Sequence, residues 1–375
     1  MVALRTTPVN TLKGSGSCPA LGPRLATAVL AIIALPLLGL PQAVYGQTEP
    51  NPTPLFAEAT PLALTIEGPF RTLSRERRER NELEGLVRYQ GGDGTVVPLD
   101  VQIRTRGNSR MDICTYPPLR LNFRRRQVEG TVFEGQDRIK LVTLCKDTGS
   151  YRDYLALEYE IYRIYNALSD VSYRVRWADI EYVRTDGRRR TSESMPGFLI
   201  EEDTQVAART GFETWEVERL DLGAIEPSAM ALVSLFHFFI GNTDWSGSSG
   251  PPGDRCCHNG DVLRTPTGQA VLIPYDFDQA GLINTDYAAP AEPLPIRSVR
   301  QRLFRGYCRF NNGLDAAVER FNSARAEIET IIAEAQIRGN VRSRVQRYAE
   351  EFYEIINDPD ERLEQIDLAC RGQTP

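Results

Sequence analysis

The sequence predicts an α+β chain, with a β-rich part over residues 61–202 followed by a mainly helical part over 203–375. Between residues 61 and 145 apolar and polar residues alternate in short runs, the period-2 pattern of half-buried strands. At Leu157, Ile161, Ile164 and Leu168 the spacing changes to 4, 3 and 4, which lays one apolar stripe along a helix. From Pro227 the run AMALVSLFHFFI is apolar on nearly every side, so a helix there must be buried all round.

The individual elements follow from the same two periods. Leu62–Glu67 is a strand, and Leu86–Tyr89 and Val96–Arg104 flank the Gly91-Gly92-Asp93-Gly94 turn of a hairpin. Leu119–Phe123 and Arg138–Leu144 are two more strands. Arg75–Arg80 (RERRER) reads as a charged, solvated face. A helix over Asp153–Ser169 precedes a strand at Tyr173–Val183, a turn at Asp186-Gly187 and a returning strand at Gly197–Ile200. After the apolar helix come a polar loop and a hairpin of Asp261–Arg264 with Gln269–Tyr275. Helices are expected at Ser298–Phe304, Leu314–Ile337, Val341–Ile356 and Arg362–Ala369.

Residues 1–46 read as an export signal: Arg5, Lys13 and Arg24, then the apolar run Leu25–Leu40, then Val44-Tyr45-Gly46 before a cut at Gln47. The run is too short for a spanning helix and contains Pro36. Residues 47–60 are a Pro-rich linker expected to move freely. No later segment is apolar for long enough to cross a bilayer, so no integral span is expected after cleavage. The localisation implied is extracytoplasmic, periplasmic or secreted. Cys114, Cys145, Cys256, Cys257, Cys308 and Cys370 remain after the leader, an even number that fits up to three disulfides in an oxidising compartment. Cys256 and Cys257 are adjacent, so each is expected to pair elsewhere; with His258 they lack the usual spacing of a zinc site.

The net charge of −6 argues against a nucleic-acid partner. Only His237 and His258 are present, which argues against a histidine-rich metal site or a histidine relay. The chemistry instead points to carboxylates and amides at the ends of apolar elements: Gly241-Asn-Thr-Asp-Trp245, His258-Asn259 and Pro274-Tyr-Asp-Phe-Asp278. Such a set suits phosphoryl transfer, in which one carboxylate orients an acceptor hydroxyl and others hold Mg²⁺ against the phosphates. Asp276, Asn259 and Asp278 are hard oxygen donors of that kind. The competing structural reading is that Asp244 caps a turn and that Asp276 and Asp278 merely end a hairpin. Lysine is scarce, and Lys140 sits mid-strand opposite in facing to Ile139 and Leu141, where a compact charge could meet phosphates. Glu158 or Glu160 on the next helix could pair with it. Arg106 and Ser109, around the turn at Gly107, could contact phosphate as well.

These pieces, in this order, resemble the CotH family of atypical secreted protein kinases. The match runs through Arg104-Thr-Arg-Gly-Asn-Ser109, Tyr116-Pro-Pro-Leu-Arg-Leu-Asn-Phe123, Lys140-Leu141 and Asp147. It continues with Tyr151-Arg-Asp-Tyr-Leu155, Gly197-Phe-Leu-Ile-Glu-Glu202, Gly241-Asn-Thr-Asp244 and Ile273-Pro-Tyr-Asp-Phe-Asp278, covering about residues 100–285. The resemblance implies a two-lobed atypical protein-kinase-like fold, with a β-rich N-lobe and a mainly helical C-lobe. It implies ATP and Mg²⁺ (or Mn²⁺) as cofactors and a protein hydroxyl as acceptor. By the same resemblance Asp244 is the catalytic base, and Asn259 and Asp276 are metal ligands with Asp278 as a further one. Lys140 becomes the phosphate-binding lysine. Asp244 and Asn259 stand further apart than the about five positions of typical kinases, around a Gly/Ser/Pro-rich insertion. Two other functions stay open: a non-catalytic surface or envelope assembly protein, and a metal-dependent phosphohydrolase.

Overall fold

Seven strands close into a barrel: β1 (Leu62–Gly68), β2 (Leu83–Gln90), β3 (Val96–Thr105), β4 (Leu119–Phe123), β5 (Arg138–Thr143), β6 (Val175–Arg184) and β7 (Thr191–Ile200), in the order β1-β2-β3-β4-β5-β7-β6. The computed structural model describes residues 52–291 and 293–372, so the expected export signal lies outside the described residues. The closed barrel corrects the expectation of a two-lobed kinase-like fold with a β-rich N-lobe. β1 hydrogen-bonds antiparallel to β2 on one side and parallel to β6 on the other, from Leu62↔Ala178 to Gly68↔Arg184. A barrel removes the edge strands that an open sheet leaves unpaired. Residues 48–375 also form a single unit and do not divide near residue 202.

The alternation read from the sequence fills this barrel. Ile66, Val87, Ile103, Leu121, Ile139 and Leu141 are fully buried, and the register places Ile66 opposite Val87, Ile103 opposite Leu121, and Leu121 opposite Ile139. Gly85 on β2 has no room for a side chain: a Cβ there would run into Ile103 and the Glu67 carbonyl. Three short helices connect strands, α1 (Phe70–Arg75), α2 (Arg110–Ile113) and α3 (Arg125–Val128). The arginines of the RERRER run are in part structural. Arg77 donates to the Ser74, Met111 and Cys114 carbonyls, and Arg80 to Gly107 O and Asn108 Oδ1. Together they clamp the 107–114 segment. The proline-rich stretch is likewise tied down where it is described: Leu55 and Phe56 are buried, and Arg176 donates to the Leu55 and Thr60 carbonyls.

Helix α4 (Gly149–Leu168) is the one announced by the apolar stripe, started by Thr148, whose hydroxyl accepts from Tyr151 N. It packs on the outer face of the barrel, with Tyr159 against Trp177 and Phe198 at ring distances of 5.4 and 5.7 Å. α5 (Asp203–Thr210) leads to β8 (Glu213–Thr214), which joins β9 (Gly260–Arg264) and β10 (Ala270–Pro274) in a three-stranded sheet. α6 (Pro227–Ile240) is buried on every side from Val233 onward, as its composition requires. α7 (Leu314–Glu334) and α8 (Gly339–Asn357) cover it, with Phe352 wedged against Phe239 and Phe321 at 5.0 and 4.8 Å. α9 (Pro359–Arg362) is followed by a π-helical turn at Leu363–Asp367, where the sequence places a helix at Arg362–Ala369. The expected helix at Ser298–Phe304 does not form. There Arg302 bonds the Phe239 and Tyr348 carbonyls and lies over the Tyr348 ring, contacts that an irregular backbone permits.

The cysteines also differ from expectation in one respect. Cys114–Cys145 and Cys308–Cys370 are disulfides, in keeping with an oxidising compartment, but Cys256 and Cys257 are bonded to each other and therefore offer no thiolate to a metal. Among the described residues no helix is long and apolar enough to cross a membrane.

Burial of acids on α4 has a measurable consequence. Glu160 is buried with the Arg163 guanidinium at 2.8 Å, and desolvation pushes its carboxyl to about 7. Its folded pKa lies above the ordinary value, so the folded chain holds the extra proton, and stability is lost as pH rises from about 4.5 to about 7. Glu160→Gln is therefore expected to be more stable than wild type at pH 8, by up to about 3 kcal/mol. The advantage should vanish by about pH 4 in urea titrations.

Candidate functional site

The C-terminus of α6 delivers the first part of the site. The chain turns at Gly241, whose φ is +64° and where a Cβ would overlap the Tyr348 hydroxyl. Asn242 Oδ1 then accepts from Asp244 N at 2.9 Å, and Arg305 donates to the Thr243 and Trp245 carbonyls. Trp245 stacks on buried His237 at 4.3 Å. Burial and the Arg305 charge keep that imidazole neutral, well below its ordinary pKa. The loop bearing Asp244 is thus fixed from behind while its carboxylate stays one-third exposed.

Two residues before β9 grip that carboxylate. His258 Nε2 meets Asp244 Oδ1 at 2.7 Å, and Asn259 Nδ2 donates to Asp244 O at 2.7 Å and Oδ2 at 3.1 Å. The hydrogen bond to Asp244 raises the His258 pKa above the ordinary imidazole value, against the opposing effect of burial. The insertion between Asp244 and Asn259 therefore loops out and returns, so the two residues touch despite their spacing. A histidine partner for Asp244 was not foreseen; the scarcity of histidine argued against one, and only the adjacency of His258 to Asn259 could have signalled it.

Asn259 O accepts from Tyr275 N at 3.1 Å, which ties this pair to the next segment. Asn259 and Asp276 both have positive φ, +53° and +60°, a strained conformation that Asn and Asp tolerate better than most residues. Asp276 N donates to the Tyr162 hydroxyl at 3.1 Å, and the next residue, Phe277, is fully buried between Tyr162 and Phe236. Phe277 thus anchors the segment while Asp276 and Asp278 face forward.

Arg110, the first residue of α2, lies among three carboxylates. Its Nη2 is 2.7 Å from Glu158 Oε1 and 3.2 Å from Asp276 Oδ1, and its Nε is 2.9 Å from Asp278 Oδ2. Tyr287 also donates to Asp278 Oδ2. Burial pushes Glu158 up to about 7, with the guanidinium opposing and Asp278 and Asp276 adding to the rise. Asp276 is raised by burial and by Asp278. For Arg110 burial works against the charge, but the three acids outweigh it and hold the guanidinium protonated. Neither expected partner pairs with Lys140: Glu158 belongs to Arg110 and Glu160 to Arg163. Arg110 was missed although it directly follows the Arg104–Ser109 motif; no periodicity marks a one-turn helix.

Lys140 instead stands over the rings of Tyr173 and Tyr275, at 5.1 and 5.5 Å, and its charge offsets the burial-raised pKa of Glu202. Arg106, Ser109, Arg110, Lys140, Glu158 and Asp276 line one narrow cleft, whose inner space is ≈ 30 Å³, room for about one water. Arg106, Lys140 and Tyr275 also line an adjoining wide groove of ≈ 1020 Å³, walled by Glu202, Gln205 and Asp261. Arg106, Ser109 and Lys140, singled out from the sequence for phosphate contact, therefore all line the cleft with Glu158, whereas Glu160 lies in its own buried pair and Asp244, Asn259 and Asp278 line neither space.

Among the described residues no three His, Cys, Asp or Glu side chains are grouped to hold a metal ion. The available donors are of the right kind for a hard dication, however. Asp276 Oδ1 and Asp278 Oδ2 are engaged by Arg110, while no hydrogen bond among the described residues engages Asp276 Oδ2 or Asn259 Oδ1.

No family model matches the chain, and no curated protein matches it.

Proposed function

We propose that the chain binds a magnesium–nucleotide and transfers its terminal phosphoryl group to a protein hydroxyl outside the cytoplasm, the activity that the resemblance to the CotH family implies. The observation that carries this reading is the convergence of Arg106, Ser109, Lys140 and Asp276 on one cleft. Asp244 and Asn259 do not line that cleft; the bond from Tyr275 N to Asn259 O ties their segment to its wall. Arg106 and Ser109, Lys140, and Asp276 come from three separated segments, and all are of the types that phosphoryl transfer uses.

In this reading the wide groove takes the base and sugar, and Arg106 and Lys140 neutralise the phosphates. Asp276, Asn259 and Asp278 would hold magnesium, which would supply further charge neutralisation at the phosphate oxygens. Asp244 orients the acceptor hydroxyl and receives its proton, with Asn259 and His258 fixing the carboxylate. The narrow end has room for about one water, and Arg80 holds the turn at Gly107, so a phosphate enters only once the bonds to Gly107 O and Asn108 Oδ1 open.

A non-catalytic role is favoured by one specific observation, the guanidinium of Arg110 resting on two of the expected metal ligands. The two readings separate experimentally. Under the catalytic reading, Mg²⁺ and ATP at about 100 times Kd stabilise the chain by about 2.7 kcal/mol, and Lys140→Ala weakens binding at least about tenfold. Labelled phosphate should also pass from ATP to a protein acceptor. Absence of both the stabilisation and the label transfer rejects the proposal and selects the non-catalytic role; stabilisation without transfer rejects the transfer step alone.

A further inference from the structure

A second cavity, of ≈ 420 Å³, opens at a mouth of the barrel and shares none of the lining residues of the cleft described above. Phe70 and Leu73 of α1 form its lid, and Leu119, Leu144 and Met195 form apolar walls. α1 is held across the mouth by Asp186 of the β6–β7 turn, which accepts from Arg71 N at 3.2 Å and Thr72 N at 2.6 Å.

We infer that this cavity binds a small amphipathic carboxylate, an apolar body of medium length carrying one anionic head. The volume falls within the range of small-molecule sites, and barrel mouths are a common place for them. The polar groups of the wall define the head. Thr105 Oγ1 donates to Arg77 O, Thr143 Oγ1 to Tyr116 O, and the Tyr116 hydroxyl to Glu193, so these are satisfied within the protein. Tyr182 is different. It lines the cavity, is 9% exposed and packs edge-on against Phe70, yet its hydroxyl has no hydrogen-bond partner among the described residues. A buried hydroxyl is ordinarily bonded, and burial raises its pKa, so Tyr182 is a neutral donor in want of an acceptor.

The charge at the rim agrees. Arg184 lines the cavity and its buried Nε is also unpartnered, while Arg71 forms no ion pair among the described residues. Glu193 is the one acid on the lining. A guanidinium prefers a planar carboxylate, and the apolar walls exclude a ligand that is polar throughout. This inference does not depend on the phosphoryl-transfer reading.

Calorimetry on the full chain, with decanoate and decanol as probes, tests it. Decanoate should saturate the site below about 1 mM, and decanol should bind at least about tenfold more weakly. Tyr182→Phe should weaken decanoate about tenfold without lowering the Tm of the unliganded chain, because it deletes a hydroxyl that has no partner there. No decanoate binding overturns the inference, as does equal affinity for acid and alcohol. If Tyr182→Phe fails to fold, Arg184→Gln supplies the variant: unchanged decanoate affinity in it counts against the carboxylate head.

Discussion

Replacing Arg110 by leucine is expected to destabilise the chain by about 3–5 kcal/mol at pH 8, and by clearly less at pH 5. The guanidinium contacts Glu158, Asp276 and Asp278 at once, and both Arg110 and Glu158 are almost fully buried. Leucine preserves much of the volume but leaves three acids facing one another. In wild type burial already holds Glu158 near 7 despite the arginine, and Asp278 and Asp276 add to that rise. Removing the cation raises the Glu158 and Asp276 carboxyls further. The folded variant then binds more protons than the unfolded chain over a wider range, and its stability falls more steeply as pH rises above about 4.5. Urea midpoints of both chains between pH 5 and pH 8 measure this directly. A pH-independent loss below about 1 kcal/mol would show that packing, and not charge, is what Arg110 contributes. The double variant with Glu158→Gln should recover part of the loss, since it removes one of the stranded acids.

What was legible in the sequence follows from how local each signal is. The α4 stripe, the all-apolar α6 and the β9–β10 hairpin are each decided within about twenty residues, and each stands where the pattern put it. Barrel closure was not legible, because strands β1 and β6 look alike on either side of α4 and nothing local says that Leu62 pairs with Ala178. The same holds for Arg110, whose partners come from α4 and from the segment after β10. Glu158 and Glu160 both stood as partners for Lys140, and neither pairs with it, since strand alternation gives the facing of a lysine and not its neighbours. The vicinal Cys256–Cys257 bond reverses a rule of thumb that adjacent cysteines pair elsewhere. Carboxylates and amides at the ends of apolar runs are visible locally as candidates. The cleft is a product of long-range topology.

Asp244→Asn is expected to lower label transfer by about 10²–10⁴-fold while leaving the stabilisation by Mg²⁺ and ATP unchanged. The substitution keeps the shape of the side chain and the acceptor for Asn259 Nδ2, but removes the charge that would accept a proton. A second readout does not depend on activity. The chain has only two histidines, so two imidazoles titrate in its NMR spectrum. His237 is buried and held neutral, and should not titrate near its ordinary value. His258 should titrate above that value, because its hydrogen bond to Asp244 favours the imidazolium. Its raised folded pKa means that the pair stabilises the fold fully below the ordinary imidazole value and loses that contribution as pH rises through the folded one. In Asp244→Asn the His258 titration should fall back toward the ordinary value with His237 unmoved. Since an imidazolium on Oδ1 weakens the carboxylate as a base, wild-type transfer should increase with pH as His258 loses its proton. His258→Gln should flatten that rise while keeping a donor to Asp244. A rate profile with the same inflection in His258→Gln as in wild type would detach the histidine from proton transfer and leave it a positioning residue for the loop.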